Sequence, residues 1–259
     1  MARDDVNEKQ TIPTNMRLLL LLEEVAATGV PVTPTEVNSR LGLPKPTIHR
    51  LFATLEDTGF LQRDIDGRSY SPGARLRTLS VDVLSSLRIR TARLAVLNAL
   101  ANEVGETCNV ATPDRDAMIY LDRVETKWPL RIQLPIGTSV PLHCTASGKM
   151  YLSSLQPSHL EQYLGAVTLD RMTDHTITDG TTLTKALAQI KEQGFSTDNA
   201  EFMDDMVACA VPILDGRGRL VSTLSIHAPT QRLSLDEVKT YVPLMHETAA
   251  KLTQLMQDA

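Results

Sequence analysis

The sequence predicts an α+β protein of two domains: a small N-terminal winged helix-turn-helix and a larger C-terminal domain with an antiparallel sheet. A linker helix joins them. Three observations carry this. Two short helical patterns are separated by Gly42-Leu43-Pro44, which is helix-turn-helix spacing. A hairpin signal, Asp66-Gly67, follows the third helical pattern. Beyond residue 90, alternating runs and turn signals are interleaved with amphipathic helices. The expected division is a flexible N-terminus at 1–13, the winged domain at 14–73, the linker helix at 74–90 and the C-terminal domain at 91–259.

In order along the chain, residues 15–28 read as a helix. Thr14 is placed to cap it, Leu18, Leu19, Leu22, Val25 and Ala26 give an apolar face, and Gly29 ends it. Residues 33–41 read as a second helix, with Thr33 as cap, Pro34 at its first position and Glu36 completing a capping box. A third runs over 46–58, burying Ile48, Leu51, Phe52 and Leu55. Residues 60–65 and 68–71 form the wing hairpin. A helix over 74–87 carries Leu76, Leu79, Val83 and Leu87 on one stripe, suited to helix packing or to dimerisation.

The C-terminal domain reads as a helix over 94–104 and strands at 108–111, 117–124 and 130–134. Helices follow over 145–155, 158–164 and 182–193. Strands at 207–214 and 220–226 flank the turn Asp215-Gly216-Arg217-Gly218, and one long helix over 235–256 closes the chain.

Composition narrows the function classes. The 259 residues are 42% hydrophobic and 22% charged, enough for two ordinary cores. The opening residues are polar and lack a signal-peptide apolar region, and the run Leu18 to Leu22 is too short to span a membrane. Three cysteines without a CxxC fit a reducing, cytoplasmic compartment. Residues 1–90 hold 12 Lys+Arg against 11 Asp+Glu, and the rest hold 14 against 20, so the acidic balance belongs to the C-terminal part. Residues 40–77 hold seven basic and four acidic side chains, a local excess that suits a phosphate backbone. On the third helix Lys45, Thr47, His49 and Arg50 lie away from the apolar face, within reach of bases and phosphates, and Arg68 sits at the wing tip.

Motifs along the whole chain resemble the IclR family of transcriptional regulators. They are Leu43-Pro44-Lys45-Pro46-Thr47-Ile48-His49-Arg50-Leu51, Gly59-Phe60-Leu61 and Tyr70-Ser71-Pro72-Gly73. Further on come Ile119-Tyr120-Leu121-Asp122-Arg123-Val124, Pro141-Leu142-His143, Ser147-Gly148-Lys149 and Ala210-Val211-Pro212-Ile213. The resemblance spans about residues 16–255. It implies a GAF-like effector-binding domain and an effector held near Ala146, Ser147, Asp198, Ser225 and the position of His227. The sequence departs from the family's pattern. Pro46 stands where a Ser is usual, Ala208 where a Cys is familiar, Ala200-Glu201 where an acidic pair is common, and His227 where a second Ser often lies.

The stretch His143 to Lys149 places a loop at a helix start, where free N–H groups favour an anion. On sequence alone, Thr145 could equally be a plain cap and Gly148 a packing glycine. Asp198 is either a turn residue or a ligand contact. Ser225 and His227 share one strand face, and His227 is able to carry charge near neutral pH. No nucleophile–base constellation or common zinc spacing is visible, so no catalytic residue, metal or cofactor is expected. The resulting expectation is a repressor-type regulator of a catabolic operon. Its partners are double-stranded operator DNA, a small hydroxy- or oxo-acid and its own copies, as a dimer or a dimer of dimers, with no membrane. A protein-interaction module with a vestigial DNA reader, or an enzyme, is the alternative.

Overall fold

The computed structural model describes the backbone of residues 12–64, 66–84, 87–129, 131 and 134–257, and the side chains of these except 84, 87–89, 256 and 257. The flexible N-terminus expected at 1–13 therefore lies almost wholly outside the described residues. The chain divides into two compact units between Val83 and Leu84.

The first unit is a three-helix domain with a wing. Helix α1 (Arg17–Thr28) buries Leu21 and Val25. Thr14 does not cap it: a turn closed by Met16 N–H on the Pro13 carbonyl at 3.0 Å delays the helix, and the cap position falls on Met16. Helix α2 (Pro34–Leu41) has the full Thr33/Glu36 capping box and ends on Gly42, whose φ of 63° suits a residue without Cβ. Asn38 then staples the turn, accepting from Leu43 N–H at 2.9 Å and donating to the Leu43 carbonyl at 2.8 Å. Helix α3 (Lys45–Asp57) buries Ile48, Phe52 and Leu55 against α1 and α2.

Strands β1 (Leu61–Arg63) and β2 (Tyr70–Pro72) pair antiparallel as the wing. The expected first strand was longer, and its last residue, Ile65, is outside the described residues. The Asp66 carboxylate accepts from the N–H groups of Arg68 and Ser69 and from the Ser69 hydroxyl, which holds it down at about 2. Gly73 packs so tightly that a Cβ would lie 2.3 Å from the Gly59 carbonyl oxygen. Helix α4 (Ala74–Leu84) follows. Residues 85 and 86 of the helix expected over 74–87 lie outside the described residues, and Leu87 is helical.

The second unit is a six-stranded antiparallel sheet between two helical layers. Helix α5 (Leu87–Val104) begins earlier than the expected 94. Strands β3 (Thr107–Asp114) and β4 (Ala117–Val124) form a hairpin. Leu130, Ile132 and Gln133 of the expected third strand are outside the described residues, and the strand that pairs with β4 is β5 (Ser139–Pro141). Helices α6 (Ala146–Ser154), α7 (Pro157–Ala166) and α8 (Gly180–Gln193) follow. The sheet is completed by β6 (Ser196–Asn199), β7 (Met206–Leu214) and β8 (Leu220–Pro229), giving the order β5-β4-β3-β8-β7-β6. The closing helix is split into α9 (Leu235–Thr240) and α10 (Val242–Gln257). Pro243 explains the break, because it has no N–H to donate to the Lys239 carbonyl and its ring crowds that turn.

Alternation gives the sheet two different faces. Val207, Cys209, Val211, Leu224, Ile226 and Ala228 pack against α5, α9 and α10 in one core. The opposite face, under α6 and α8, carries Ala208, Ala210, Ala111 and Tyr120 in a second core. The alanine side chains there are small, and the buried polar strand residues among them make that face the candidate site.

Candidate functional site

The first candidate surface is on α3 and the wing. Lys45, His49, Arg50 and Arg68 are exposed and Thr47 is half-buried. Four of the seven basic residues in 40–77 are engaged within the domain. Arg40 pairs with Glu24 at 2.6 Å and Arg63 with Glu56 at 2.8 Å. Arg75 stacks on Phe60 at 4.5 Å, and Arg77 donates to the Pro72 carbonyl. The remaining three, Lys45, Arg50 and Arg68, make no side-chain hydrogen bond or ion pair among the described residues, although the Arg68 charge acts on Asp66 in the wing. Three free cations on one short helix and its wing form the arrangement that a polyanion satisfies.

The second candidate site lies on the small-residue face of the sheet. Cross-strand register sets Ser196, Ala210, Ser225, Asn109 and Arg123 in one row over β6, β7, β8, β3 and β4. Asp198, Ala208 and His227 form the adjacent row. A β-bulge opposite Val110/Ala111 inserts Leu121 into β4. Because of it, Leu121 enters the α5-side core and Asp122 pairs with Arg93 of α5 at 2.7 Å. Tyr120 and Arg123 can then both serve the site face: Tyr120 lies edge-on to His227 at 6.0 Å, and Arg123 donates to Asn109 Oδ1 at 2.8 Å.

Helix α6 roofs this face. Thr145 caps it, accepting from Gly148 N–H at 3.1 Å, and Ser196 Oγ donates to the Ala146 carbonyl. The packing role read for Gly148 also holds, since a Cβ would lie 2.4 Å from the Leu142 backbone. The N–H groups of Ala146 and Ser147 belong to the first turn, where no intrahelical acceptor exists. Thus four of the five residues expected near an effector, Ser147, Asp198, Ser225 and His227, are buried polar groups, and Ala146 supplies backbone.

The chemistry of the face is defined by what lacks a partner. Among the described residues, Asn109 Nδ2, Ser147 Oγ, Asp198 Oδ2, Glu201 Oε2 and His227 Nδ1 are buried without a hydrogen bond. Leaving such groups unsatisfied costs about 1–3 kcal/mol each. Asp198 Oδ1 is satisfied, by Glu201 N–H at 2.8 Å and Phe202 N–H at 3.3 Å. Burial pushes Asp198 up to about 7, against the pull of the nearby Lys149 cation. Lys149, itself buried, pairs with Glu201. His227 does not carry charge near neutral pH as the sequence suggested. Full burial, reinforced by the Arg123 cation, pushes it down to about 3, so it acts as a neutral ring whose Nε2 faces Ser225 Oγ at 3.2 Å.

Sequence reasoning missed Asn109, Arg123, Lys149 and Glu201. Three of them stood in quoted motifs or noted positions, but none could be assigned a face before register was known. Burial pushes the Cys144 and Cys209 thiols up to about 12 and Cys108 higher still, so none is a thiolate nucleophile. Among the described residues, no cluster of three or more His, Cys, Asp or Glu side chains gathers to hold a metal. No helix among them is long and apolar enough to cross a membrane.

A winged helix-turn-helix followed by a unit with a buried polar sheet face under a helix defines a class: a transcriptional regulator with a DNA-binding and an effector-binding domain. The model of the IclR helix-turn-helix domain matches residues 16–64, and that of the bacterial transcriptional regulator IclR C-terminal matches residues 81–254. The chain belongs to the IclR family, whose members are DNA-binding transcription factors and not enzymes. It is 34% identical to the "Probable transcriptional regulator SauR" of Cupriavidus necator over 92% of this chain and 95% of that protein. The crystal structure of the Thermotoga maritima IclR matches with a TM-score of 0.62 and 26% identity over 93% of this chain and 97% of that one. The inducer-binding domain of a double mutant of PobR from Acinetobacter, solved with 3-hydroxybenzoic acid, matches 61% of this chain and 94% of that one with a TM-score of 0.57 and 25% identity.

Proposed function

We propose that this protein is a cytoplasmic, acid-responsive regulator of a catabolic operon. Lys45, Thr47, His49 and Arg50 read the operator, Arg68 holds the DNA backbone from the wing, and the pocket under α6 binds a small hydroxy- or oxo-acid. The observation that carries this reading is a set of five buried polar atoms without a protein partner among the described residues: Asn109, Asp198 and His227 on the sheet face, Ser147 on the helix above it and Glu201 in the loop after β6. Amides at Ala146 and Ser147 suit the carboxylate without a buried cation. Asp198 Oδ2 and Glu201 Oε2 are acceptors suited to a ligand hydroxyl or hydrated carbonyl. The hydroxy acid bound by the PobR domain is in keeping with this chemistry.

A homodimer supplies the two readers that a two-fold operator needs. The stripe on α4 supports it, because Leu79 and Val83 stand 50% and 55% exposed. Leu79→Glu should give a folded monomer by light scattering, and an unchanged dimer would remove this seam from the interface.

The test of the pocket is a thermal-shift screen of small carboxylic acids, followed by calorimetry of the best binder on His227→Ser and Asp198→Ala. His227→Ser should change acid preference while effector-free DNA binding stays as it is. If both variants bind the acid as wild type does, the acid is bound elsewhere.

A further inference from the structure

The pocket reading leaves one donor without a task. Asn109 is fully buried on β3, beside Ser225 across the strand pair. The orientation of its amide is fixed by chemistry: Arg123 is a pure donor and contacts Oδ1 at 2.8 Å, so Oδ1 is the carbonyl oxygen. Nδ2 is therefore the amino group, and it is buried with nothing to donate to. Two further groups are close by. The His227 ring, whose Nδ1 is unsatisfied, packs against Tyr120, and the Tyr120 hydroxyl has no hydrogen bond among the described residues. None of these lies on α6, whose amides would take the first carboxylate.

The charges are distributed unevenly around the same floor. Asp198 and Glu201 lie on and beyond β6 at one side, with Lys149 balancing Glu201. Arg123, buried on β4, brings a cation to the Asn109 side, where Glu125 partners it at 3.2 Å from a more exposed position. An acceptor arriving at Asn109 Nδ2 thus meets a donor held in place and a cation one residue away. A negatively charged acceptor gains more there than a neutral one, because the low-polarity surroundings strengthen the attraction.

We propose that Asn109, oriented by Arg123, is a second ligand anchor in this pocket, and that the effector is a difunctional acid carrying an anionic acceptor group remote from its first carboxylate. This rests on the reading of the pocket as the effector site. Asn109 is the residue that selects the second group, and Arg123 positions it.

The test compares acids that differ by one added carboxylate: lactate with malate, and 2-oxobutyrate with 2-oxoglutarate. Calorimetry on the full-length protein should show at least one difunctional member binding ten-fold or more tightly than its monofunctional counterpart. Asn109→Asp keeps an acceptor for Arg123 but replaces the donor with an anion, and it should collapse that ratio to near one. Asn109→Leu should do the same, and circular dichroism checks that both variants are folded. A preference that survives both substitutions overturns the role of Asn109. Monofunctional acids binding as tightly as their difunctional partners overturn the ligand class while leaving the pocket in place. If none of the four acids binds, the second-anchor proposal falls, and the wider acid screen decides separately whether the pocket is an acid site.

Discussion

The two candidate sites are built on opposite principles. On α3 and the wing, the functional groups are cations left free on a surface whose other cations are engaged in the domain. Under α6, they are polar atoms left unsatisfied inside a core. The first site does not need its partner to be stable, since Lys45, Arg50 and Arg68 are exposed to water. The second holds five buried polar atoms with no protein partner among the described residues, and a buried polar group needs one. A surface site therefore gains affinity mainly through charge and is sensitive to salt. A buried site gains it by relieving its own unsatisfied groups, and is sensitive to the number and placement of the ligand's polar atoms.

The largest effect that would break this contrast concerns Asp198. Its pKa is raised to about 7, well above that of an Asp in an unfolded chain. Between about pH 4 and pH 7 the folded state then binds a proton that the unfolded state does not. The contribution to stability is fully present below that window and is lost as pH rises through it. Asp198→Asn keeps an oxygen for Glu201 N–H and cannot ionise. It should flatten the fall in stability across this range and raise stability at pH 8, by up to roughly 4 kcal/mol. Denaturant unfolding at pH 5 and pH 8 measures it. A wild-type curve as flat as the variant's would mean that the pocket carries no such cost.

A smaller effect is expected at the surface site. Arg50→Ala should weaken operator binding by about 1–3 kcal/mol and relax sequence preference. Smaller still, Arg68→Ala should weaken all DNA sequences alike and lower the salt dependence by about one counterion. Neither should alter stability by more than about 0.5 kcal/mol, since both side chains are exposed and neither makes a hydrogen bond or ion pair among the described residues. Fluorescence anisotropy against operator and unrelated DNA, at two salt concentrations, separates the two. Equal losses on both DNAs for Arg50→Ala would make it a backbone contact.

The contrast also explains what the sequence made legible. The reader was visible because its logic is local. Pro46, Ile48, Phe52 and Leu55 mark the helix and its buried face, so the residues on the other face follow. The wing follows from Asp66-Gly67. The pocket depends on non-local register. Ser196 to Asn199 has no apolar alternation, so β6 went unseen, although it carries Asp198. The extra residue in β4 changes which side chains reach the site, and no local pattern announces a bulge. Asn109 matters only because β8 and β4 lie on either side of it. The sequence leaves His227 able to carry charge, because its burial between Thr107 on β3 and Ala208 on β7 depends on strand register.

In the proposed function, the effector site and the DNA reader act as one device. Thermodynamic linkage makes this directly measurable, because an acid that changes DNA affinity must have its own affinity changed by DNA by the same factor. The best-binding acid from the screen should be titrated into the protein alone and into its operator complex, with operator affinity measured at zero and saturating acid. The two affinities should shift by the same factor, of about five-fold or more. An acid that binds the pocket with identical affinity in the presence and absence of operator DNA would contradict it.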